Sequence, residues 1–368
     1  MKSSALVILA VACLVVILYS GSATSQSNTL PLGQVDPQIQ GVECPAGFFP
    51  GTDCYATTVT CRDTLELGFT YGVTNPGGRQ GTIVFFNGDE GTTPGFLKYV
   101  AAYTPPLNDF QTVQVAWDTA WEDTGNGTGS SLKSAACRPA TVMNWLLNQR
   151  NVYSGGGMCA QGASAGSAAV AYALTEYGAY QYLNHVELES GPVLSNISTG
   201  CNPNSSPLTV CPGDECLTGG QGSWSDSPIY VDNTQVDIST WTGAVGSNAC
   251  ASGDGIGESQ YTAWQDMSIV DGLTGWQADT TFVYPTTSIS GWLCSKPPGC
   301  NSSLCQNNSA AQGQLYYENV ITPKSVYRVD ACLSVEGVDE GTVPELGNES
   351  GLQAIIADMV GQCRTQHR

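Results

Sequence analysis

Histidine is nearly missing from this sequence: among 368 residues only His185 and His367 occur. Basic residues are scarce too, with 12 Lys and Arg against 32 Asp and Glu, a formal net charge of −20. Each shortage excludes something. Two histidines cannot build a histidine-rich metal site. A chain this acidic repels nucleic acid and anionic membrane surfaces, because its long-range field has the wrong sign. The same field argues against polyanionic polymers as substrates. No basic cluster offers a phosphate site, and no Gly-rich fingerprint follows the first strand, so no cofactor is expected. Repeats and low-complexity tracts are also lacking. What is present is a globular composition: 41% of residues are hydrophobic, and 16 Tyr and 8 Trp call for burial,. The length allows one large domain or two small ones.

The first 23 residues read as a secretory signal. Lys2 supplies the charge, Ala5 to Leu18 an apolar run, and Gly21-Ser22-Ala23 the small residues of a cleavage site,. That run falls short of the ~20 residues of a spanning helix, so no membrane association is expected once it is removed. Setting aside Cys13 inside it leaves fourteen of the 15 cysteines, an even number from Cys44 to Cys363. In an exported chain this predicts up to seven disulfides, with the pairing open. Zinc spacing is absent from Cys211–Cys216 and from Cys294–Cys300–Cys305,.

Residues 24–43 are polar and aperiodic and read as a flexible lead-in to a single domain over 44–368. Apolar β-rich runs then alternate with helical stretches. Strands are expected at Leu65–Val73, Gly81–Asn87, Thr112–Asp118, Gly157–Gly162 and His185–Gly191. Helices are expected near Phe96–Tyr103, Pro139–Gln149 and Ala165–Tyr177. The alternation predicts an α/β fold, a mostly parallel central sheet flanked by helices. Residues 195–275, rich in Gly, Ser, Asn and Pro and holding four cysteines, read as an inserted lid or subdomain,. The pattern resumes with strands at Thr280–Ile289 and Ser325–Ala331, a helix near Ala311–Val320 and a last helix near Ser350–Cys363.

The sharpest motif is Gly162-Ala163-Ser164-Ala165-Gly166, a G-x-S-x-G between an apolar strand and an Ala-rich helix. A nucleophilic serine on a tight strand-to-helix turn needs this context. The helix amino end beside it favours developing negative charge.

From about residue 65 to 363, strand order, elbow, insertion and last helix resemble the α/β-hydrolase superfamily. The resemblance implies an eight-stranded sheet with Ser164 after the fifth strand. It also implies an oxyanion hole from the amides of Ala165 and of the loop after the third strand, here Asn87-Gly88-Asp89-Glu90-Gly91, with Gly88 as the donor. It further asks for an acid after strand six or seven and a histidine after strand eight. Cys332 to Gly341, after the expected eighth strand, holds no histidine, and Ser290 to Cys294, after the expected seventh, holds no acid. His185 precedes the sixth strand, at the opposite end of the sheet, and His367 lies in the tail.

Two readings remain. In one, a carboxylate replaces the imidazole, as in secreted acid peptidases of the sedolisin type on another fold. Glu336 stands about where the histidine belongs, with Asp339 and Glu340 behind it. Asp118 serves as its orienting partner, near Glu122 and Asp123. Such a base would suit an acidic pH optimum. The product is a secreted hydrolase of an ester, small or polymeric, or less readily of a peptide, through an acyl-enzyme on Ser164. In the other reading the fold has lost catalysis and binds a ligand or partner. Asp118, Glu122 and Asp123 could also hold calcium, though not at the spacing of a known loop. Trp224, Trp241, Trp264, Trp276 and Trp292 could serve as platforms for sugar or aromatic groups.

Overall fold

The computed structural model describes residues 29–88, 90–123, 131–149, 152–153, 155–197, 264–270, 273–274, 277–278, 282–295, 312–313, 315–317, 319–321, 324–334, 342–346 and 349–364. Eight strands form the middle of a twelve-stranded sheet: β1 (Asp53–Thr60), β2 (Leu67–Thr74), β3 (Gly81–Phe86), β4 (Gln111–Trp117), β5 (Gly157–Ala163), β6 (His185–Glu189), β7 (Ser288–Ser295) and β8 (Lys324–Ser334), with four short strands at its two edges. Their spatial order is β1-β2-β4-β3-β5-β6-β7-β8. β2 runs antiparallel to both neighbours, and every pairing from β4 to β8 is parallel. The expected fold class is the one found, and Ser164 follows the fifth strand.

Parallel strands need both faces covered. Side-chain alternation along β3 shows how this is met. Val84 and Phe86 face a cluster with α2 (Cys137–Asn148) and α3 (Ala165–Tyr177). Ile83 and Phe85 face α1 (Leu97–Tyr103) and α4 (Gly351–Cys363). α3 can pack closely because its first seven residues, Ala165 to Ala171, are small, and eleven consecutive residues from Ala165 to Thr175 are buried.

Three disulfides join described residues: Cys44–Cys54, Cys61–Cys137 and Cys159–Cys363. The last ties the end of α4 to the start of β5. Among the described residues no helix is long and apolar enough to cross a membrane.

Several expectations need correction. Part of the supposed lead-in is sheet: Gln34–Val35 and Gln40–Val42 both pair with β1, and the Leu30 amide donates to the Glu176 carbonyl at 2.7 Å. β1 itself was not foreseen, because its Thr-rich sequence shows weak apolar alternation. The strand expected at Thr280–Ile289 is two elements. Phe282–Val283 pairs with Val320–Ile321, and only after Pro285 does β7 begin at Ser288. Ser290 to Cys294 is therefore inside the seventh strand and not after it. The region after β7 is residues 296–311, and it too contains no Asp or Glu. Most of the expected insertion, and the signal segment, lie outside the described residues.

Candidate active site

Ser164 sits between β5 and α3 with φ 51° and ψ −117°. A residue with a Cβ enters this region only when its surroundings force it. Two glycines make the turn possible. A Cβ on Gly162 would lie 2.4 Å from the Gly166 carbonyl oxygen, and one on Gly166 would lie 1.9 Å from the Phe86 carbonyl oxygen. Both motif glycines are thus required by close backbone approach. The second contact also presses the start of α3 onto the end of β3, immediately before Gly88.

Serine at a helix amino terminus normally turns its hydroxyl inward to cap a backbone N–H. Ser164 does not: its side chain makes no capping hydrogen bond. Ser167 Oγ instead donates to the Ser164 carbonyl at 2.5 Å. The Ser164 hydroxyl is left at the half-buried carboxyl end of the sheet. The amide of Ala165, first residue of the helix, has no intrahelical acceptor.

The Gly88 loop is built to stay in place. The Gly91 amide closes onto the Gly88 carbonyl at 2.9 Å, and the loop is stitched to the end of β4 by Trp117 N–H to Gly91 at 3.0 Å and Trp121 N–H to Glu90 at 3.2 Å. Asn87 donates to Thr93 Oγ1 at 3.1 Å. Gly88 is buried; Asp89 lies outside the described residues. Ala165 and Gly88 therefore belong to two adjoining segments at one end of the sheet.

The structure does not bring Asp118 to Ser164. Its exposed side chain lies over β2, with Oδ2 2.0 Å from where a Cβ on Gly68 would be. β4 and β5 are separated by β3, about 10 Å across two strand spacings, and Asp118 faces the far side. The calcium reading finds no converging site: Asp118, Glu122 and Asp123 are not among the described residues whose ligand atoms lie together as a cation would require. Glu122 and Asp123 already flank the buried guanidinium of Arg138, which donates to the carbonyls of Trp121 at 2.9 Å, Leu65 at 2.8 Å and Asp123 at 2.5 Å. Burial lowers that guanidinium to about 10, and the two carboxylates raise it back in part. Glu336 and His367 lie outside the described residues. Trp264 and Trp292 are core residues and not platforms; Trp224, Trp241 and Trp276 lie outside the described residues.

His185 does open β6 at the end remote from Ser164, paired with Cys159 and Ser288. It belongs to a polar column that sequence reading overlooked. His185, Glu187 and Glu189 alternate along β6 and share the face toward α1 and α4, all buried,. His185 Nε2 lies 3.1 Å from Glu187 Oε1 and 3.6 Å from Asp358 Oδ2 of α4. Its Nδ1 meets Ser288 Oγ at 2.7 Å. Trp292 Nε1 donates to Glu187, and Ser290 Oγ to Asp358. Burial lowers His185 to about 4, while burial, with Asp358 beside it, raises Glu187 well above the carboxyl range. These three groups are those among the described residues whose ligand atoms converge as a cation would require, within 4.8 Å. Serine and tryptophan donors already satisfy them.

At the other end of the column Glu189 lies beneath the elbow. Its main-chain carbonyl accepts the Ser164 amide at 2.9 Å. Tyr99 donates to Oε2 at 2.7 Å and Gln161 Nε2 to Oε1 at 2.5 Å. Burial raises this carboxyl to about 7, against the pull of its two donors. The sequence signal was available: three ionisable residues at alternate positions of a strand otherwise reading as core.

No family model and no curated protein matches the sequence. Among solved structures it is similar to an acetyl xylan esterase from Thermoanaerobacterium sp., at 12% identity over 88% of each chain with a TM-score of 0.48. Brefeldin A esterase, described as a bacterial homologue of human hormone-sensitive lipase, is 15% identical over 88% of this chain and 80% of its own, with a TM-score of 0.42. A hyperthermophilic esterase from the archaeon Pyrobaculum calidifontis is 12% identical over 90% of this chain and 86% of its own, with a TM-score of 0.41. At these values the likenesses bear on neither substrate nor chemistry.

Proposed function

We propose that this chain is a serine esterase that works outside the cell. The observation carrying the proposal is the backbone of Ser164, held at positive φ with a hydroxyl that makes no capping hydrogen bond. Strain of this kind persists only where the surrounding structure over-determines it, and it clusters at active sites. In the proposed reaction Ser164 Oγ attacks the ester carbonyl carbon, and its proton passes to a base. The carbonyl oxygen takes the negative charge and is received by the amides of Ala165 and Gly88. Collapse expels the alcohol, which takes the proton, and water then releases the acid from Ser164 by the same route.

For the base we retain the carboxylate of Glu336, chosen from its place in the sequence after β8, with an acidic pH optimum as its corollary. Asp118 is dropped as orienting partner because it faces β2. Export is supported by the three disulfides, which persist in oxidising compartments.

The test is hydrolysis of p-nitrophenyl acetate by the wild type, Ser164→Ala and Glu336→Gln. Ser164→Ala should reduce kcat by about 10³-fold or more. Glu336→Gln should remove the rising limb of the pH–rate profile. A wild type without activity, or a Ser164→Ala variant as active as the wild type, would replace this reading with that of a ligand-binding protein.

A further inference from the structure

Glu189 holds, through different atoms, the Ser164 turn that precedes Ala165 and the helix α1 that follows the Gly88 loop. Its carbonyl holds the Ser164 amide, and so the turn that presents Ala165. Its carboxylate holds Tyr99 and Gln161. Tyr99 belongs to α1, the helix reached directly from the Gly88 loop. Tyr103, one turn further on the same face, donates to Gln161 Oε1 at 3.1 Å. The loop is in turn fixed to the start of α1. Phe96, the residue before the helix, stacks on Phe85 with ring centroids 4.9 Å apart. A Cβ on Gly95 would lie 2.7 Å from the Asn87 side chain, so the two ends of the loop touch. Gln114 Nε2 donates to the Gly95 carbonyl.

We infer that Glu189 is a positioning residue for the oxyanion hole, tying the Ser164 turn to the helix behind the Gly88 loop. The inference rests on the serine-esterase reading above. A carboxylate is a costly choice for a site that leucine could fill, since burying it without partners is strongly unfavourable. Leucine, however, would pack without direction, whereas Glu189 fixes α1 through a hydrogen bond of defined length in a dry interior, where such bonds are stronger. Oxyanion donors act only when they sit 2.7–3.1 Å from the charged oxygen, and misplacement by about 1 Å can cost about 100-fold. The ionisable groups facing Glu189 are Tyr99 and Tyr103 from α1 and Glu187 from its own strand, with Asp358 of α4 beyond Glu187.

The experiment compares Tyr99→Phe, Glu189→Ala and Glu189→Gln with the wild type and Ser164→Ala, each checked for folding by circular dichroism. Tyr99→Phe, the mildest change, should lower kcat for p-nitrophenyl acetate about tenfold while KM moves less than about twofold. Its affinity for a trifluoromethyl ketone, which places an oxyanion in the same hole, should fall in parallel. Glu189→Ala should lose more, and Glu189→Gln should rescue most of that loss, because an amide can still accept from Gln161 and donate to the Tyr99 oxygen. Hydrogen exchange provides a readout independent of turnover: peptides covering 87–96 and 163–168 should both exchange faster in Tyr99→Phe. Unchanged exchange in either peptide, unchanged kcat in Tyr99→Phe, or a Glu189→Gln variant as inactive as Ser164→Ala would overturn the inference. An active Ser164→Ala variant would instead overturn the esterase reading, whatever Tyr99→Phe does.

Discussion

The backbone amide of Ser164 donates to the carbonyl of Glu189 at 2.9 Å, continuing the β5–β6 pairing one residue past Ala163 and Glu189 themselves. The strained serine is thus the last rung of the sheet's ladder, and the turn begins only when that rung is closed. This explains how a backbone at positive φ is held without a capping side chain.

Gly166→Ala should disable the site. Its methyl group would meet the Phe86 carbonyl at 1.9 Å, a backbone contact that cannot swing aside. Overpacking of this kind costs about 1–3 kcal/mol or more. A fall in the thermal midpoint together with loss of labelling by a fluorophosphonate probe at Ser164 is the expected result. Normal labelling and stability would show that α3 can slide away from β3.

Gly191→Ala and Ser167→Ala should couple. A Cβ on Gly191 would lie 1.9 Å from Ser167 Oγ but 3.1 Å from the Ser164 carbonyl oxygen. Removing the hydroxyl relieves the first clash alone. In a double-mutant cycle on unfolding free energy, the pair should be less destabilised than the sum of the single variants, by about 0.5–3 kcal/mol. Strict additivity would mean that the Gly191 turn does not lean on Ser167.

Stability should fall between acid and neutral pH. Burial raises Glu189 to about 7 and Glu187 well above its ordinary range, so the folded chain keeps protons that an unfolded chain, with glutamates near ~4.3, has released. Their contribution is complete below about pH 4 and, for Glu189, is lost as pH rises through about 7. His185 runs the other way. Its contribution is present above ~6.5, the unfolded value, and is lost as pH falls toward about 4. Two carboxyls outweigh one imidazole, so the unfolding midpoint should be higher near about pH 5 than near about pH 7.5. Glu189→Gln should flatten that slope, and a variant with the wild-type slope would contradict the assignment.

Breaking the Cys159–Cys363 bridge should be costly, because its sequence separation is 204 residues. Loss of a native disulfide typically costs about 2–5 kcal/mol. The paired Cys159→Ala, Cys363→Ala variant should show that loss in denaturant unfolding. A variant as stable as the parent would mean that α4 is held by its apolar packing in the cluster with Ile83, Phe85 and Trp292 alone.

The main architecture was legible because most of its strands are apolar runs bounded by turn residues. The elbow was legible because two glycines and a serine have few other reasons to stand at that spacing between a strand and a helix. Where reading failed, the cause was physical. β1 and the short strands before it pair through their backbones: β1 is threonine-rich with weak apolar alternation, and the others are two and three residues long, too short to show a period. The run at Thr280–Ile289 looked like one strand, but Pro285 divides it. Asp118 stood near the correct end of the sheet, yet one-dimensional position does not say which neighbouring strand a side chain leans toward. The column on β6 went unread because His185 was weighed only as a catalytic candidate, not for what its alternating neighbours would do when buried beside it.

The chain leaves the sheet after β6 and returns through Trp264. The Val270 amide donates to the Ser195 carbonyl at 2.8 Å, and the Ile197 amide to Ser268 Oγ at 2.8 Å. The Tyr172 hydroxyl of α3 lies 2.9 Å from the carbonyls of both Leu194 and Met267. The described stretches 194–197 and 264–270 are therefore clasped to each other and to α3 by these hydrogen bonds. Because one hydroxyl, that of Tyr172, reaches both stretches, its loss in Tyr172→Phe would loosen the two together rather than one at a time.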